Sequence, residues 1–218
     1  MSPLKSITLV LALILLSTTT TFAAKKSYND LLEVAASACE DMIEIAAADG
    51  LTPAKAKIAE LKQALLPLRK SIPAPVLKNI DDKIALLDVQ AKGQSVTDLS
   101  LTSVETFHDI ISVMDHKGSK TAGAVALLDY AGFKLAILTE GKTVDWSQVA
   151  KTSDDAQASW RALQPHLKDN PGITDALTTI SDGIADAAQN KDTAKLHFAA
   201  KVLLDSVDLV ENALAKGK

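Results

Sequence analysis

From Asp192 to Leu214 the apolar residues Leu196, Ala200, Leu203, Val207, Val210 and Leu214 fall four, three, four, three and four positions apart. That spacing draws one apolar stripe along a helix, where a half-buried strand would alternate every second residue. The same stripe stands ninety-six residues earlier, with Val104, Phe107, Ile111 and Met114 in the places of Ala200, Leu203, Val207 and Val210. At that offset Pro75 also matches Pro171, Leu77 matches Ile173 and Ile84 matches Ile180. The chain therefore reads as two related helical halves, each closed by a helix of this kind.

Further stripes fill each half. In the first, Leu31, Ala35, Ala38, Met42 and Ile45 form a helix started by Ser27, with Asp30 in the capping-box position, and ended by Gly50. Thr52 then caps a second helix, with Pro53 at its first position and Ile58, Leu61, Leu65 and Leu68 facing inward. After the Pro73-Ala74-Pro75 break, Leu77, Ile80, Ile84, Leu87 and Ala91 line a third. Ser95, with Asp98 three residues on, opens a fourth that runs to about His116.

The second half repeats the plan. Ala124, Leu128, Ala131, Leu135 and Leu138 make a fifth seam, stopped by Gly141. Asp145, with Gln148, caps a sixth helix lined by Val149, Ala156, Trp160, Leu163 and Leu167. Asn170-Pro171-Gly172 turns the chain into Ile173, Leu177, Ile180, Ile184 and Ala187. Short connections favour antiparallel neighbours. The expected fold is all-α: two tandem antiparallel four-helix-bundle-like units, residues 25–116 and 124–218, joined by a linker at 117–123. The fourth helix carries a broader apolar arc, Val104, Phe107, Ile110, Ile111, Val113 and Met114, and the eighth has Val202, Leu209 and Ala213 off its main stripe. Arcs that wide predict burial on two sides, across the halves or in a homodimer.

Residues 1–24 have the layout of a secretory signal peptide: Lys5, a ten-residue apolar run from Ile7 to Leu16, then small residues to Ala24. The run is too short to cross about 30 Å of hydrocarbon, so no stable membrane insertion is expected after cleavage. Lys25, Lys26, Asp30 and Glu33 separate it from Cys39, which argues against a lipoprotein site. The protein is expected in the periplasm or outside the cell. Cys39 is the sole cysteine, so packing alone must hold the mature chain together.

The formal charge of −4, with no basic run, argues against nucleic acid as a partner. Gly-x-Ser-x-Gly, a Gly-rich phosphate loop and His-Glu-x-x-His are all missing, which points away from catalysis and toward a binding or interaction module with a protein partner or a second copy. No cofactor is required on that reading. The alternative is a metal- or haem-binding bundle. Glu105 and His108, three apart on one helix face, with Asp115 a further two turns along, have the residue types of a metal site. Di-metal bundles use two such pairs, and the matching positions in the other half are Lys201 and Leu204. A haem or copper centre would pair His108 with Met42, which an antiparallel register leaves about 9 Å apart along the axis. His166 near a helix end and His197 beside the last stripe are expected at the surface, and Trp146 and Trp160 share a face as core anchors.

Overall fold

The computed structural model describes residues 27–115, 121–141 and 143–216, and every regular element among them is helical. Eight α-helices follow in order: α1 (Tyr28–Asp49), α2 (Leu51–Leu65), α3 (Ala74–Gln90), α4 (Val96–Ile111), α5 (Ala122–Glu140), α6 (Trp146–Leu163), α7 (Pro171–Gln189) and α8 (Thr193–Lys216). Short 3-10 turns, Leu66–Leu68 and Gln164–His166, extend α2 and α6. The leader expected at residues 1–24 lies outside the described residues, as do His116 and the first four residues of the expected linker.

Local chemistry sets most of the boundaries. Ser27 Oγ accepts from the Asp30 amide at 3.1 Å while the Ser27 amide donates to Asp30 Oδ2 at 2.8 Å, a complete capping box. Asp145 accepts from the amides of Ser147 and Gln148, and Ser95 from that of Asp98. At the α1–α2 corner the cap is Gly50, not Thr52. Its φ of +84° reverses the chain in one residue, so α2 begins at Leu51 and Thr52 is already inside it. Pro53 still falls in the first turn, where its missing N–H leaves no helix bond unmade. α4 ends at Ile111, earlier than its apolar pattern suggested, and Ser112 and Val113 form turns.

The helices pack in two groups. α1 lies against α2 and α4, and α3 against α4 and α2. In the same sense α5 lies against α6 and α8, and α7 against α6 and α8. Each group encloses its own apolar core: Leu32, Cys39, Met42, Ile58, Leu61, Ile80, Leu87, Leu99 and Ile110 in the first, Leu128, Leu135, Val149, Trp160, Leu163, Leu177, Leu196 and Leu203 in the second. The α1 stripe is rotated from its sequence reading. Leu31 and Ile45 sit half-buried at its edge, while Leu32, Cys39 and Ala46 are sealed inside, because α1 is flanked by two helices and its small residues let both approach.

The two groups meet along α4 and α5. α5 faces both cores. Val125, Leu128, Ala131, Leu135 and Leu138 belong to the second core, whereas Tyr130 and Ile137, with Ala126 and Phe133 beside them, pack on the first. The second set is itself spaced four, three and four, so this helix carries two seams where sequence showed one. By length and hydropathy α5 could cross a membrane, but most of its apolar surface is covered by protein. α4 packs on α5 as well as on α1 and α3, and Val113 and Met114 of its expected arc lie beyond its end. The extra face of α8 is covered only in part, since Ala213 is buried and Leu209 is 56% exposed.

Candidate functional site

The metal-ligand candidates lie at the α4–α5 junction, in company the sequence did not announce. Glu105 Oε1 is 2.7 Å from Lys134 Nζ of α5 and accepts from the Tyr130 hydroxyl at 3.2 Å. Lys134 Nζ also donates to the Tyr130 hydroxyl oxygen at 2.9 Å. On the other flank of α4, Lys83 Nζ of α3 pairs with Asp109 at 2.7 Å and donates to the Glu105 carbonyl at 3.0 Å. His108 is half-buried, its ring centroid 4.6 Å from that of Tyr130.

These contacts set protonation. Burial pushes the Glu105 carboxyl up, but the hydrogen bond and charge of Lys134 outweigh it, and the group sits below the ordinary glutamate value. Burial opposes the charge on Lys134 too, yet its bonds to Glu105 and Tyr130 raise it above the ordinary lysine value. Burial raises Tyr130 and lowers His108. A lysine held charged and a tyrosine held protonated are the reverse of an activated base or nucleophile. The cluster fastens α4 to α5.

Asp115 does not join Glu105 and His108. With α4 ending at Ile111, the helical spacing that placed all three on one flank stops short, and Asp115 meets α1 instead: its amide donates to Asn29 Oδ1 at 3.0 Å and its carbonyl accepts from Asn29 Nδ2 at 2.7 Å. Among the described residues, no three His, Cys, Asp or Glu side chains are grouped to hold a metal ion. Met42, the other haem candidate, is fully buried in the first core, whereas His108 stands at the α4–α5 face. His166 is exposed; His197 is half-buried, its Nδ1 3.0 Å from Thr139 Oγ1. Trp160 is in the second core and Trp146 beside it.

The concave surface lies elsewhere. Between the groups, α1, α5 and α8 border a cleft of about 790 Å³, continued by a second of about 440 Å³. Phe107, Ile111, Met114, Val125, Leu204 and Val207 give the larger cleft an apolar floor. Glu33 and Glu40 from α1, Asp129 from α5, and Asp208 and Glu211 from α8 ring it, with no Lys or Arg among its described lining residues. The smaller cleft adds Asp41, Glu44, Glu140 and Asp205, and one cation, Lys201.

Glu40 of α1 and Asp129 of α5 line both clefts. Burial, then the neighbouring Glu40, then Glu211 and Asp208 push Asp129 up to about 8, because a further anion among these acids is disfavoured. Burial also raises Glu40, and burial with the Asp208 charge raises Glu211.

Sequence reading missed this surface. Asp129 and Lys134 did leave a signal, as charges inside an otherwise apolar helix. The acids on α1 and α8 left none, since carboxylates on a helix flank look alike whether they face water or one another. No family model, curated protein or solved structure matches the chain.

Proposed function

We propose that the protein is an exported, non-catalytic binding module, and that the cleft between its halves takes a small amphiphilic cation. The observation that carries this reading is the ring of Glu33, Glu40, Asp129, Asp208 and Glu211, brought from three helices around an apolar floor. A cleft of about 790 Å³ is of the size that encloses a small organic molecule. Its rim favours positive charge, and its floor favours an alkyl or aromatic body. Export is supported by the Lys5–Ala24 leader pattern. The matching stripes at ninety-six residues support two repeated units that arose by duplication, with the cleft forming where they meet.

The test is calorimetric titration of the mature protein with an alkyltrimethylammonium ion below its micelle concentration, and with an alkyl sulfate of equal chain length. The expected result is saturable binding of the ammonium alone, weakened by salt and by Asp208→Asn with Glu211→Gln. Equal binding of both amphiphiles, or of neither, would overturn the reading.

A further inference from the structure

We propose that a second copy of this chain docks on the outer face of α8, the two α8 helices running antiparallel about a two-fold axis that passes midway between Val202 and Asp205. That face carries a second stripe. Phe198, Val202, Asp205, Leu209 and Asn212 stand four, three, four and three apart, on the side of the helix away from the stripe buried in the second core. Phe198 is 69% exposed and Leu209 56%, with Val202 half-buried between them. Exposed apolar residues scattered singly are ordinary. Here they lie in line on one helix, on a strip that α5 and α7, the helices α8 packs against, leave open.

The strip is complementary to itself. An axis at its middle sets each residue against the partner residue equally far on the other side, so Phe198 faces the partner's Leu209 and Leu209 faces the partner's Phe198. The two apolar contacts fall about 16 Å apart along the helix, one at each end of the pairing.

Charge follows the same symmetry. Lys195 is engaged by Asp186 of α7, whereas Lys201, Asp205 and Asp208 are exposed. In the antiparallel pairing Lys201 comes within about 3 Å, measured along the axis, of the levels of the partner's Asp205 and the partner's Asp208. The two-fold makes this match twice. Parallel helices would set Lys201 against its own copy and Asp205 against its own copy, so charge selects the antiparallel arrangement. One helix pair covers less than the about 800 Å² that each partner buries in a standard interface, so the dimer is weak and reversible.

The experiment is sedimentation velocity on the ligand-free mature chain, from micromolar concentration to about 1 mM. A monomer–dimer equilibrium is expected within that range. Phe198→Ala and Leu209→Ala are each expected to raise the dissociation constant at least about tenfold, since each removes its contact from both ends of the pairing. Lys201→Glu and Asp205→Lys are each expected to weaken the dimer when alone. An equimolar mixture of those two variants is expected to recover association, because opposite charges then face each other at both ends. All four positions lie on the outer face, and should one apolar variant fail to fold, the other carries that arm. The proposal is overturned if the wild type sediments as a monomer throughout, if its dimer is unaffected by both alanine changes, or if the mixture associates no better than either charge variant alone.

Discussion

Lys134 Nζ and Glu105 Oε1 stand 2.7 Å apart across the α4–α5 junction, the lysine side chain 10% exposed and the glutamate 34%. Removing one partner from a fully buried pair costs about 3–5 kcal/mol. Solvent reaching Glu105 lowers that to about 1–3 kcal/mol here. Glu105→Gln is expected to cost more than Lys134→Met, because it strands the more deeply buried charge. Glu105→Gln with Lys134→Met is expected to cost less than the two single changes added together. Urea unfolding of the four proteins measures all three. Since Glu105 is held low and Lys134 high, the pair's contribution should persist through neutral pH. It should fade only as pH falls through the lowered Glu105 value or climbs past the ordinary lysine value.

At Gly132 α5 packs tightly against Leu204 of α8. A Cβ built there would meet Leu204 Cδ2 at 2.8 Å and Cγ at 2.9 Å. Alanine in a helix interior is worth about 1 kcal/mol over glycine, so two effects compete. The clash is expected to win, because the Leu204 branch point as well as its tip would have to move. Gly132→Ala should lower stability by about 1 kcal/mol, in the range for mild overpacking. In a Leu204→Ala background the same change should raise stability by about 1 kcal/mol, as propensity acts alone. Thermal melts of the four proteins read the reversal, and a Gly132→Ala effect of the same sign in both backgrounds would contradict the packing argument.

The contrast between these sites explains what sequence could reveal. Stripes such as Ile58–Leu61–Leu65–Leu68 and Leu196–Ala200–Leu203–Val207 are buried as their spacing implies, because burial of one helix face is written in that helix alone. The caps at Ser27, Ser95 and Asp145 were legible for the same reason, each being a contact within three residues. Gly50 was legible as a stop, but its second duty as the start of α2 depended on a backbone angle. The two-sidedness of α4 was visible as excess apolar width. That of α5 was not, because Ala126, Tyr130, Phe133 and Ile137 were overshadowed by the stronger seam beside them. Glu105 and His108 drew attention as a pair with each other. Their partners Lys134 and Tyr130 lie beyond a connection whose path no local pattern dictates. Glu40 and Asp129 belong to the same class, two acids brought onto one cleft by how two groups of helices are set together.

His108 supplies an acid-side prediction. Burial lowers its imidazole below the ordinary value, the nearby Glu105 and Asp109 carboxylates only partly offsetting it, so the ring that lies against Tyr130 is neutral near pH 7. In the unfolded chain the imidazole takes a proton near pH 6.5. Between that value and its lower folded value the unfolded state binds more protons, and stability should fall as the solution is acidified through the window. This slope adds to the acid-side loss of the Glu105–Lys134 pair and opposes the trend of Asp129, whose raised value favours the folded state at low pH. His108→Phe keeps a ring on Tyr130 and removes the titration, so it should flatten the component of the pH–stability curve just below pH 6.5 and leave the change toward pH 8 in place. Urea unfolding at closely spaced pH values, with imidazole proton NMR to assign the titration, checks both parts. A folded His108 that protonates above the ordinary histidine value would show that its carboxylate neighbours outweigh burial.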